Sequence, residues 1–112
     1  MDFENLHPAR TARTYPVEAA RLARAVEVAA RGLEGWELSR SPEGEVRAVR
    51  HTCLGLAYDV TVRLSNLESG AQTNTHAAFE SASRAGPGDL GQNKRNLDEL
   101  LRAVDENLMP ET

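Results

Sequence analysis

Apolar positions along the chain fall into two helical stripes separated by four alternating runs. Ala19, Leu22, Val26, Ala29 and Leu33 recur at steps of three and four, with Arg21, Arg24 and Arg31 on the opposite side. That spacing marks one face of an amphipathic helix. Pro16 suits its first turn, where a missing N–H costs nothing. The pattern predicts a helix over 16–33, ended by Gly32 or Gly35. Leu90, Leu97, Leu100, Leu101, Val104 and Leu108 form the second stripe and predict a helix over 90–108. Asp89, with Gln92 three residues later, fits a capping box and places Asp89 at the N-cap. Met109-Pro110 closes this helix.

The alternating runs lie between the stripes. Trp36 and Leu38 share one face of a strand over 36–40, and Ser41-Pro42-Glu43-Gly44 reads as a hairpin turn. Val46 and Ala48 point inward from 45–52. The clearest run is 57–64, where Tyr58, Val60, Val62 and Leu64 oppose Asp59, Thr61 and Arg63. A turn over 65–70 leads to a strand over 71–83, with Ala71, Thr73, Thr75, Ala77 and Phe79 inward. Residues 1–14 show no period and read as an N-terminal arm. The fold class is α+β, in the order α-β-β-β-β-α. It is a four-stranded antiparallel meander with two helices packed on one face and the other face polar. Residues 15–112 form a single domain.

Size and charge narrow the setting. A chain of 112 residues buries roughly two thirds of its unfolded surface, enough for one core without disulfides or metals. A formal net charge of -4 disfavours nucleic acid, and five aromatics are poor equipment for stacking bases. Cys53 is the only cysteine, so no intrachain disulfide forms. The first residues carry neither a basic start nor an apolar run, and no stretch has membrane-spanning length. The expectation is a soluble, cytoplasmic protein.

Residues 81–95 carry the most specific signal. Gly86, Gly88 and Gly91 spell G-x-G-x-x-G. A dinucleotide site also needs a second strand after the helix and an acidic residue about 20 positions on. No strand pattern follows the last helical stripe, so no nucleotide is expected, nor any other cofactor. Tyr58-Asp59-Val60-Thr61-Val62-Arg63-Leu64, with Ser81-Ala82-Ser83-Arg84-Ala85-Gly86-Pro87-Gly88-Asp89-Leu90-Gly91-Gln92-Asn93, resembles the bacterial and plastid family known as domain of unknown function 1499. The resemblance spans roughly 15–108. It implies no reaction, cofactor or substrate.

Two constellations carry candidate chemistry. Arg84, Gly86, Gly88, Asp89, Gly91 and Asn93 border a helix N-terminus, where free N–H groups and a positive dipole end can hold phosphate or carboxylate. The same residues also read as a plain turn, with Asp89 capping the helix and pairing with Arg84. If Leu64 pairs with Ala71, then Asp59 faces His76, and His51, Asp59 and His76 line up on the polar face. Such a row can bind a divalent metal or do acid–base work. It also reads as a hydrogen-bonded row on a solvated face. Cys53, two residues from His51, makes a Cys–His pair conceivable, but no third member accompanies it. The overall expectation is a non-catalytic binding or protein-interaction module. Its partner would be a second copy or another protein at the sheet face or edge.

Overall fold

The computed structural model describes residues 8–69, 72–84 and 91–109, without the side chains of residues 68, 69 and 72. Within these residues the chain folds as β1 (Ala9–Tyr15), α1 (Ala19–Gly32), β2 (Trp36–Ser39), β3 (Glu45–His51), β4 (Ala57–Ser69), β5 (Gln72–Ser83) and α2 (Gln92–Leu108). All strand pairs are antiparallel, in the order β1-β5-β4-β3-β2. The expected α+β class and the meander of four are present as β2 to β5.

The count of four strands is corrected to five. Part of the predicted arm is β1, which pairs with β5 from Ala9↔Ser81 to Tyr15↔Thr75. Its inward positions are Ala9, Thr11, Arg13 and Tyr15, and only Tyr15 is buried. An edge strand with one large apolar side chain gives no hydrophobic period to read.

The predicted turn over 65–70 is also corrected. The β4–β5 ladder continues through Leu67↔Asn74 to Ser69↔Gln72, so Leu64 faces Ala77. Ser65, Asn66, Leu67 and Thr73 of this extension are exposed, since it reaches past the end of β3 at Glu45↔Arg63. Helix α1 starts three residues later than Pro16. The Thr75 hydroxyl donates to the Val17 carbonyl at 2.7 Å and holds that segment against the sheet.

Helix α2 begins at Gln92. Its N-cap residue is Gly91 at φ 93°, with no side-chain cap hydrogen bond. Positive φ suits a residue without Cβ. The capping box is therefore not what opens this helix. Gln92 donates instead to Asn96 Oδ1 at 2.7 Å, and Asp89 lies outside the described residues.

Both helices pack on one face. Leu22, Val26, Ala29 and Ala30 of α1, and Leu97, Leu100, Leu101 and Val104 of α2, meet Val46, Ala48, Val60, Val62, Ala77 and Phe79 of the sheet. Burying the leucine, valine and phenylalanine side chains among these contributes about 1.5–3 kcal/mol each. The two apolar stripes place the helices, and the strand period of two selects the face they cover.

Candidate functional site

The signature segment is a structural tie at its described positions. Ser81 Oγ donates to Asn93 Oδ1 at 2.9 Å and accepts from Asn96 Nδ2 at 3.2 Å. All three residues are buried. A polar cluster inside a core persists only when its groups find partners. These bonds fasten the first turns of α2 to β5. Arg84 does not reach for the helix. Its guanidinium donates to Asp59 Oδ1 at 3.0 Å from Nε and lies 2.9 Å away at Nη2. That hydrogen bond, followed by the carboxylate's charge, raises the Arg84 pKa further. Gly86, Gly88 and Asp89 lie outside the described residues.

The register separates the proposed histidine row. His51 faces Ala57, Asp59 faces Val49 and Ala82, and His76 faces Ser65 and Thr14. Asp59 and Ser65 are six residues apart on β4, about 20 Å along an extended strand. The assumed pairing of Leu64 with Ala71 is six positions from the one formed, and this dissolves the row. Among the described residues no group of three or more His, Cys, Asp or Glu side chains is placed to hold a metal ion. His51 Nε2 instead lies 3.7 Å from Glu37 on the same outer face.

A cleft opens where α2 passes the ends of α1 and β3. It is a groove open to solvent with a volume of about 970 Å³, and its walls include Glu34, Gly35, Arg50, Cys53, Glu99 and Arg102. Arg50 is its fixed centre. On β3 it occupies an inward position, in step with Val46 and Ala48, and its side chain is 20% exposed. Nη1 donates to the His51 carbonyl, and Nε lies 3.7 Å from Glu99 Oε1. The same Glu99 oxygen accepts from the Trp36 indole. Gly35 completes the seat at φ 85°, where a Cβ would lie 2.6 Å from Arg50 Nη1 and 2.7 Å from the His51 carbonyl oxygen. Arg50, Glu99, Trp36 and Gly35 thus lock the sheet edge to α2.

Within that lock, Arg50 Nε is buried and has no hydrogen-bond partner among the described residues. A gap of 3.7 Å is too long for one. Arg102, three residues beyond Glu99 on α2, is exposed and also lines the cleft. Sequence reasoning missed this cleft. The available signal was a charge, Arg50, at an inward strand position, which demands a partner.

The fold and its cleft define a class: a single antiparallel sheet with two helices on one face and a polar groove beside the second helix. The family model described as "Protein of unknown function (DUF1499)" matches residues 2–104, and the chain belongs to that family. No curated protein matches it. Among solved structures it is similar to protein CV1439 from Chromobacterium violaceum at 13% identity and TM-score 0.53, covering 93% of this chain and 99% of that one. It is also similar to an uncharacterised protein from Rhizobium leguminosarum at 14% identity and TM-score 0.49, covering 91% and 95% respectively. At such identities the likeness to the first extends to the fold alone. No described helix is long and apolar enough to cross a membrane.

Proposed function

We propose that the chain is a non-catalytic binding module and that the cleft beside α2 is where it binds. The observation that carries this reading is the cleft of about 970 Å³, lined by charged side chains of both signs that include Arg50, Arg102, Glu34 and Glu106. The cleft volume also falls within the range of small-ligand sites. A cleft held open by Gly35, Trp36 and Glu99 needs little rearrangement to receive a guest.

The test is a thermal-shift panel of peptides, nucleotides, sugars and carboxylic acids on the wild type and on Ala103→Trp, which fills the cleft. The expected outcome is a saturable rise in Tm with at least one probe, lost in the variant. A panel without any saturable shift, or shifts unchanged by Ala103→Trp, removes the cleft from consideration.

Assembly is a second reading with its own observation. β1 is seven residues long, and its outer edge pairs with no strand among the described residues. Such an edge can take a second copy or another protein as an added strand. Sedimentation of the purified protein at micromolar concentration distinguishes the two states. A monomer removes the homodimer.

A further inference from the structure

The sheet has two edges among the described residues, and they differ. β2 offers only the four residues Trp36–Ser39, with Glu37 exposed on it. A short, charged edge is one way a sheet discourages added strands. β1 offers seven residues, Ala9–Tyr15, or about 24 Å of extended backbone at roughly 3.4 Å per residue. Along such an edge every second residue turns both its N–H and its C=O to the open side.

The two arginines of β1 are held differently. Arg10 stands opposite Glu80 on the outer face and pairs with that carboxylate at 2.6 Å. Arg13 occupies an inward position opposite Ala77, yet it is exposed. Its Nη1 folds back along its own strand. It donates to Thr11 Oγ1 at 3.1 Å and to the Ala12 carbonyl at 2.9 Å. Both acceptors are uncharged. A carboxylate binds a guanidinium more strongly and can take two of its N–H groups at once. Arg13 therefore acts as a latch, lying over a β1 carbonyl until a better acceptor draws it away.

The same charge decides between occupants. Two copies pairing antiparallel through β1 overlap fully when Ala12 lies on the two-fold axis. The two Arg13 residues then become diagonal neighbours on one face, about 7–8 Å apart. Like charges so placed oppose the pairing. An incoming strand with carboxylates on its inner face meets Arg13 as a partner instead. The chain's net charge of -4 opposes such a strand only at long range, where salt screens beyond about 8 Å.

We infer that β1 takes an acidic extended segment of another protein as a sixth strand, with a carboxylate of that segment bound by Arg13. This rests on the reading in which β1 is an interaction edge. Main-chain hydrogen bonds along the strand supply affinity, and the side-chain contact selects the sequence. Arg13 thus rejects a second copy and admits an acidic partner by the same charge.

The test uses a blocked seven-residue peptide alternating threonine and glutamate, and its threonine–glutamine counterpart. Both are titrated calorimetrically into the wild type, Arg13→Gln and Arg24→Gln, and amide hydrogen exchange of the wild type is followed by NMR. Arg13 and Arg24 are both exposed, so the variants should keep the wild-type Tm. Arg24 lies on α1 and reports charge attraction alone. The glutamate peptide should bind saturably to the wild type and to Arg24→Gln, and should slow exchange at the open-side amides of residues 9–15. The glutamine peptide, or Arg13→Gln, should lose about tenfold or more, as expected when a hydrogen bond to a charged group is removed. The two changes together should lose little further. Equal affinity for the two peptides, with β1 amides protected, overturns the acidic selection and leaves the edge standing. Protection that grows with protein concentration and not with peptide assigns the edge to a second copy and overturns the inference. Binding without protection in β1, or binding weakened equally by Arg24→Gln, overturns it as well. If neither peptide nor concentration protects β1, the inference and the edge reading fall together.

Discussion

The two faces of this sheet are made from the same strands and behave as different materials. The inner face stacks Val46, Ala48, Val60, Val62, Ala77 and Phe79 against two helices. The outer face carries crossed ion pairs: Arg10 with Glu80 at 2.6 Å, Arg47 and Arg63 with Glu45 at 2.9 and 3.4 Å, and Arg84 with Asp59. Inner contacts exclude water and are worth kilocalories each. Exposed ion pairs contribute about 0–1 kcal/mol, because water and salt screen them. Stability therefore resides on one side of the sheet, and the other side is free to vary without unfolding the chain.

Substitutions ordered by expected effect test that contrast. Leu100→Ala, which hollows the inner face, should cost about 2–5 kcal/mol in denaturant unfolding. A loss below about 0.5 kcal/mol would show that Leu100 behaves as a surface residue. Asn96→Ala removes one donor from the Ser81 cluster and should cost about 1–3 kcal/mol, since Ser81 Oγ keeps its place in the core. An unchanged midpoint would mean that water replaces the amide.

Tyr15 tests the inner face through pH. Burial first, and then the neighbouring Asp105 carboxylate, push its hydroxyl up from 10.0 to about 12. Between those values the folded state keeps a proton that the unfolded state releases. The stabilisation is complete below pH 10 and is lost as pH rises through about 12. The slope approaches about 1.4 kcal/mol per pH unit. Wild type should lose stability faster than Tyr15→Phe across that window, and parallel curves would place the hydroxyl in water.

The smallest effect belongs to the outer face. Arg10→Ala should change stability by less than about 1 kcal/mol, and less again in high salt. A large loss there would erase the contrast between the faces.

How far the sequence can be read follows the same division. Wherever burial is one-sided and regular, as at Tyr58, Val60 and Val62 or along Leu97 to Val104, the period shows directly in the residues. Both helices and the four-strand meander are legible for that reason. β1 was not, because Thr11 and Arg13 occupy inward positions at an edge with little to bury. The histidine row failed through register. Nothing in Ser65-Asn66-Leu67-Glu68-Ser69 announces that the hairpin continues, and pairing offsets move every cross-strand neighbour. The cleft was hidden because Arg50, Trp36 and Glu99 are far apart in the chain, with only the misplaced charge of Arg50 as a hint.

The pairing of β1 with β5 sets an order of assembly. Arg10 and Glu80 are 70 positions apart, whereas β2 to β5 join neighbour to neighbour through short hairpins. On a ribosome, at about 5–20 residues per second, residues 9–15 emerge before the other strands and wait several seconds for their partner strand. Throughout that interval they are an unpaired strand without an apolar period. The two arginines among these seven residues then keep a waiting edge in solution and away from the wrong partner.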